Sequence, residues 1–251
     1  MRRHRKFARR ARVTAAAAAL VSTSACTVPR FTFPRPRTRQ AEAILSLWQG
    51  AFIAAAVIGA LVVGLILWCV VRYRAKGPQA LLPKQTEYVI PLEIVYTAVP
   101  VLIIAVLFGF TYAAQRAVER RAPAPLLVEV KGSQWQWQFH YPAANISVIG
   151  GPSTAGRDSA PTLVLPVGKP VRIALTSADV IHSFWVPDFL FKKDNIPGRT
   201  NEFDLTVTEA GDYIGRCAEF CGLEHDRMTF RVHAVPAADF DGALAAAGGV
   251  K

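Results

Sequence analysis

The sequence predicts a membrane protein of mixed class: two transmembrane helices forming a hairpin, followed by an all-β domain outside the bilayer. Three observations carry this. Ala51 to Val71 is a run of 21 residues without a charge, and Ile94 to Tyr112 is a second run of 19. From Pro123 onward, short runs rich in β-branched and aromatic residues are separated by Gly, Pro or Asp, the pattern of a β-sandwich or barrel. The hydrophobic content of 52% is therefore spread unevenly along the 251 residues.

Residues 1–25 read as an export signal. Seven Lys or Arg and no acid precede a short apolar stretch, Val13 to Val21, which is too brief to span a bilayer. Thr23-Ser24-Ala25-Cys26 is similar to the box at which bacterial lipoproteins are cleaved and acylated, though Thr23 stands where leucine is preferred; Cys26 is the expected lipid anchor, and ordinary cleavage near Ala25 or no cleavage is the alternative. Residues 26–44, with Pro29, Pro34 and Pro36 among four arginines, read as an extended linker. The first transmembrane helix is placed at 45–73. Its uncharged run covers about 31 Å at the α-helical rise, and Trp48, Trp68 and Tyr73 sit where interface anchors belong. A short basic loop, 74–88, leads to the second helix at 89–113, interrupted by Pro100. A hairpin leaves both flanks on one side of the membrane. Basic residues on both sides leave the orientation undecided by charge alone. The export signal puts the β domain outside the cell membrane.

The β domain is placed at 114–236, with strands expected at 126–131, 135–141, 171–177, 182–186, 203–208, 212–216 and 229–235. Residues 143–161 read as an insertion or mobile hairpin, and 237–251 as a C-terminal tail. The formal charge of +11 is misleading. Without residues 1–25 it falls to +4, and from Pro123 onward 11 basic residues face 14 acids, a net of −3. No basic domain surface remains for nucleic acid.

Chemistry concentrates in Cys217-Ala218-Glu219-Phe220-Cys221-Gly222-Leu223-Glu224-His225-Asp226-Arg227-Met228, with His182 upstream in His182-Ser183-Phe184-Trp185. Two imidazoles, a thiolate and a weak thioether make the ligand set of a blue-copper site. A second thiolate, Cys217, allows two sulfurs to bridge two copper ions. Three other readings compete. Zinc is the usual guess for a Cys/His cluster, but structural zinc favours two to four residues between cysteines and rarely takes methionine. A Cys217–Cys221 disulfide would leave His225 and Met228 unexplained, and Met228 could simply fill the core. Cys69 lies in an apolar run and reads as a small hydrophobe, and the absence of Cys-x-x-Cys-His leaves no covalent haem expected.

Cys-x-Glu-x-Cys-Gly-x-x-His-x-x-Met with an upstream His-Ser-Phe-Trp resembles the dinuclear copper A site of cytochrome c oxidase subunit II, and the resemblance covers Leu45 to about Val235. It implies a Greek-key cupredoxin-like domain holding two copper ions. His182, Cys217, Cys221, His225, Met228 and the Glu219 backbone carbonyl are the implied ligands. His182 and Met228 would serve one ion, and His225 with the Glu219 carbonyl the other. The Glu219 carboxylate would reach a magnesium ion shared with the catalytic subunit I. Trp135, first of the Trp-x-Trp pair, would be the exposed entry point for electrons from cytochrome c, soluble or as a membrane-tethered domain, while Trp137 reads as strand core. Glu93 at the start of the second span would lie at a proton-channel entrance; the plain alternative is an acid favoured by the helix dipole. Asp194 and Arg199, in Lys193-Asp194-Asn195-Ile196-Pro197-Gly198-Arg199, would lie at the subunit interface, unless the segment is an ordinary Pro-Gly turn. The implied function is electron transfer from cytochrome c to a haem of the partner subunit, where oxygen reduction drives proton pumping. A membrane-anchored copper-delivery lipoprotein, a copper-less quinol oxidase subunit II and a nitrous-oxide reductase copper domain are the rival readings. The intact ligands oppose the quinol branch, while the two spans with Glu93 oppose the other two.

Overall fold

The computed structural model describes residues 33–74, 85, 87–123, 125–152 and 159–248. The expected signal at 1–25, Cys26 and most of the 74–88 loop lie outside them. Residues 34–251 make up one compact unit.

Helix α1 spans Arg39–Arg72 and helix α2 spans Ile90–Val118, 34 and 29 residues long and apolar enough to cross a membrane. The first helix starts within the stretch read as linker. Thr38 explains why: its hydroxyl accepts the Ala41 N–H at 3.0 Å, a side-chain N-cap that satisfies an otherwise orphaned donor. Arg72 in the last turn complements the helix dipole at the other end. In α2, proline opens the first turn and Glu93 follows in it, while Pro100 sits inside the helix, a placement that membrane helices tolerate. The helix continues five residues past the expected end at 113. Large apolar side chains such as Leu65, Val71, Leu102 and Phe108 are exposed along both spans, as surfaces solvated by lipid or partner helices must be.

Among the described residues, ten strands form two five-stranded sheets. They are β1 Leu126–Ser133, β2 Gln136–Tyr141, β3 Ile146–Gly150, β4 Thr162–Pro166, β5 Val171–Ser177, β6 His182–Val186, β7 Phe191–Asn195, β8 Asn201–Leu205, β9 Gly211–Cys217 and β10 Thr229–Val235. One sheet runs β3-β2-β1-β5-β8 and the other β4-β10-β9-β6-β7. Parallel pairing of β1 with β5 and of β4 with β10, inside otherwise antiparallel sheets, gives the crossed connections of a Greek-key cupredoxin-like sandwich. The stretch read as an insertion contains β3, an edge strand paired with β2. The presumed tail contains helix α3, Phe240–Gly248, which buries Leu244 and sets Phe240 against Tyr141.

Period-two burial positions the site. Trp137, Phe139 and Tyr141 of β2 point inward, as do Tyr213, Gly215 and Cys217 of β9 and Phe230, Val232 and Ala234 of β10. Trp137, Phe184 and Phe230 stack edge and face within 6.3 Å of one another. Cys217 therefore ends an inward-facing row, and register places it opposite Phe184, two residues from His182.

Both spans attach to the sandwich around one segment. Thr38 bridges Val207, Arg39 donates its N–H to the Thr206 carbonyl at 3.1 Å, and Gln40 accepts the Thr206 N–H. Beyond α2, the Ala122 N–H donates to the buried Asp204 carboxylate at 2.6 Å. Arg172 grips the same carboxylate with two hydrogen bonds at 2.8 and 3.0 Å. Burial pushes the Asp204 carboxyl up, but Arg172, the Ala122 N–H and Arg121 together outweigh it and hold the group below the usual carboxylate range. Its contribution is complete above the unfolded-state value of about 3.9 and disappears as pH falls through the lower folded value. Thermal melts of the detergent-solubilised protein should show stability falling below about pH 4, with a shallower fall in Asp204→Asn. An equally steep fall in that variant would assign the acid sensitivity to other carboxylates.

Candidate metal centre

Three elements converge at one end of the sandwich: the first residue of β6, the last of β9, and the loop from Cys217 to the 3-10 turn His225–Arg227. Gly222 permits that loop, with φ of +118° and a Cβ position that would meet the Trp135 ring and Gln134. His182, Cys217, Cys221 and Met228 are all buried. The Cys217 and Cys221 sulfurs are 3.7 Å apart, free thiols far beyond the disulfide length of about 2.05 Å. Around them, His182 Nδ1 lies 3.8 Å from Cys217 Sγ and the Glu219 carbonyl oxygen 3.3 Å from the same sulfur. His225 Nδ1 is 3.6 Å and Met228 Sδ 3.8 Å from Cys221 Sγ.

These separations suit shared metal ligands. Two donors each about 2.3 Å from a common ion and arranged tetrahedrally lie roughly 3.7 Å apart. The electrostatics agree. Burial raises both thiols. At Cys217 burial is outweighed by the His182 ring, by backbone hydrogen bonding at Glu219 and Ser183 and by His225, which together bring the thiol down to about 6. At Cys221 the neighbouring Cys217 sulfur adds to burial and pushes it up to about 12. Two sulfurs this close cannot both be thiolates without a cation between them. The donor set therefore fits a soft metal, and two thiolates, two imidazoles and a thioether fit copper.

A partner that the sequence reading did not single out holds His182. Asp179 Oδ1 lies 2.9 Å from His182 Nε2, so with Nδ1 turned to Cys217 the imidazole proton sits on Nε2. The other oxygen, Oδ2, accepts the Gln134 N–H at 2.7 Å. Asp179 lies in the turn before β6, and no spacing rule marks it in advance. Carboxylates behind ligating histidines fix ring orientation and typically account for 10–100-fold in metal affinity. Asp179→Ala should lower copper affinity by about that factor in a chelator competition, with Asp179→Asn recovering part of the loss. Unchanged affinity in Asp179→Ala would show that packing alone orients the ring.

Trp135 lies in the tight turn before β2 rather than in the strand, and it is half-buried. Its indole Nε1–H donates to the Cys221 carbonyl at 3.2 Å, and the Gln134 side chain donates to the same oxygen at 2.8 Å. Trp137 is fully buried, its Nε1–H on the Met228 carbonyl. Phe220 and Leu223, within the loop, are exposed to solvent. The Glu219 carboxylate is exposed and 3.8 Å from Lys192 Nζ. Asp194 pairs with Ser183 across β6 and β7, Arg199 is exposed after the Pro-Gly turn, and Glu93 lies far from the cluster in the first turn of α2.

Residues 27–112 match the family model "Cytochrome C oxidase subunit II, transmembrane domain" and residues 153–235 match "Cytochrome C oxidase subunit II, periplasmic domain". The probable cytochrome c oxidase subunit 2 of Streptomyces avermitilis is 40% identical over 253 residues, covering 86% of this chain and 79% of that protein. The chain belongs to the cytochrome c oxidase subunit II family. The Mycobacterium tuberculosis subunit 2 is 34% identical over 262 residues, with 83% and 72% covered. Among solved structures, the periplasmic domain of Bradyrhizobium japonicum oxidase subunit II is 32% identical, covers 50% of this chain and 95% of its own, and has a TM-score of 0.46. Family membership makes the chain a membrane-bound component of an oxidoreductase complex, with the β-sandwich as its periplasmic domain.

Proposed function

We propose that this subunit takes single electrons from a cytochrome c, soluble or membrane-tethered, and passes them to a haem of the catalytic subunit I. There, oxygen reduction is coupled to proton pumping. The observation that carries this reading is the closed set of donors around the Cys217–Cys221 sulfur pair. Two copper ions held there supply one-electron chemistry with the charge shared between them. The chain's own residues do the rest. Cys217 and Cys221 would bridge the ions, with His182 and Met228 serving one and His225 with the Glu219 carbonyl the other. Asp179 fixes the His182 ring, and the core around Trp137 keeps water from the buried side. Trp135 provides the entry, because its indole joins the half-exposed surface to the Cys221 backbone through one hydrogen bond.

Glu93 in the first turn of α2 is proposed to serve proton uptake by the catalytic subunit, and Asp194 and Arg199 to face that subunit. The Glu219 carboxylate would turn from Lys192 to a magnesium ion at the same interface, a hard cation suited to oxygen. An export signal at 1–25 and acylation at Cys26 would keep the domain on the outer membrane face. Electron paramagnetic resonance of the copper-loaded full chain tests the centre. A hyperfine pattern richer than one copper nucleus produces, lost in Cys217→Ser, supports it. A mononuclear pattern in the parent protein would favour the copper-delivery reading.

A further inference from the structure

Two cavities meet where the spans leave the sandwich. The outer one is a cleft of about 530 Å³ whose walls include Gln115, Glu119 and Arg121 at and beyond the end of α2, and Phe191, Lys193 and Glu202 of the sandwich. The inner one is a groove of about 500 Å³ between α1 and α2, walled by Ala43, Gly50, Ala54, Val106, Leu107 and Phe110. Leu47 and Ala114 line both, so the cleft opens directly into the groove. From Leu47 to Ala54 the groove follows α1 for about 10 Å into the span.

The charges in the cleft are unequally satisfied. Arg121 pairs with Glu202 at 3.1 Å and reaches Asp204 at 3.6 Å. Among the described residues, the Glu119 carboxylate accepts only a long hydrogen bond, 3.4 Å, from its helix neighbour Gln115. Lys193 is half-buried and has no ion pair among the described residues. A cation and an anion thus face one cleft at the depth where a helix passes from hydrocarbon to headgroups, above an apolar slot.

We propose that this composite cavity binds one phospholipid with a zwitterionic, ammonium-bearing headgroup. The phosphate sits at Lys193 and Arg121, the ammonium at Glu119, and one acyl chain lies in the groove between the helices. Arg121 and Lys193 are balanced by Glu119 and Glu202, so the cleft carries no net charge with which to prefer an anionic headgroup. The site is independent of the metal centre.

The test is native mass spectrometry of the oxidase complex, extracted in mild detergent and washed extensively, reading lipid on the chain when it is ejected. A Cβ at Gly50 meets nothing within 4 Å, so Gly50→Leu starts its added bulk from open space at the groove wall. The parent chain should carry one phosphatidylethanolamine, absent from Gly50→Leu and strongly depleted in Lys193→Ala. Equal retention by Gly50→Leu overturns the site, and phosphatidylglycerol in place of phosphatidylethanolamine overturns the headgroup assignment. A parent chain without lipid, whose Gly50→Leu variant sheds its partner subunits, makes the groove a protein contact instead.

Discussion

Cys221→Ser should remove the metal centre while leaving the sandwich folded. Serine keeps the volume near that of the thiol, but its hydroxyl is a hard, neutral donor where a soft anionic one is needed. Cys221 is also the hub of the cluster: it touches Cys217, His225 and Met228, and its carbonyl receives Trp135 and Gln134. Removing an outer partner of a ligand typically costs 10–100-fold in affinity, so loss of Cys221, a donor of the proposed centre, should exceed about 100-fold. Copper content after dialysis and steady-state oxidation of reduced cytochrome c by the complex read the two consequences. A variant retaining copper and full turnover would remove Cys221 from the centre.

Trp137→Ala should produce the largest loss of stability. The ring is fully buried among Phe184, Phe230 and His182, and its Nε1–H holds the Met228 carbonyl. Large-to-small changes at buried tryptophan cost about 3–5 kcal/mol, equivalent to a melting shift of roughly 12–20 °C in a β domain of this size. Because His182 and Met228 both lean on this ring, the copper signal should broaden in protein that remains folded at low temperature. Trp137→Phe keeps most of the packing and gives up about 1 kcal/mol with the hydrogen bond. A melting shift in Trp137→Ala no larger than in Trp137→Phe would mean the core collapses around the gap.

Local chemistry decided which features were legible in the sequence. Strands β6 and β10 have the expected bounds because His182-Ser183-Phe184-Trp185-Val186 and Thr229 to Val235 are β-branched or aromatic on the buried face. Edge strand β7 was missed: Phe191-Lys192-Lys193-Asp194-Asn195 is polar because one side of it meets solvent, and composition then reads as loop. Edge strand β3 was missed for a similar reason, with Asn145 at positive φ on one side and Gly150 on the other. Prolines in the preceding linker masked the start of α1, although Thr38 was a readable cap. At the site, the donors repeat at spacings that a loop between two strands can gather, so their residue types were enough. Asp179 was not legible because the turn before β6, not a recognisable spacing, aims it at His182 three residues on, and Gln134 was not because the fold brings it to Cys221 from 87 residues away. Trp135 was singled out by position, and its place in a turn rather than a strand depended on where β2 begins.

Residues 204–208 receive both membrane helices, through Thr38 and Arg39 on one side and Ala122 on the other. A domain on one tether swivels; one gripped from two directions at nearly the same place keeps a fixed heading. The donors around Cys217 and Cys221 thus stand at a set height and bearing above the bilayer, independent of the long spans below. For the proposed electron relay, whose rate would fall steeply with each added ångström of gap, this bracket sets the spacing.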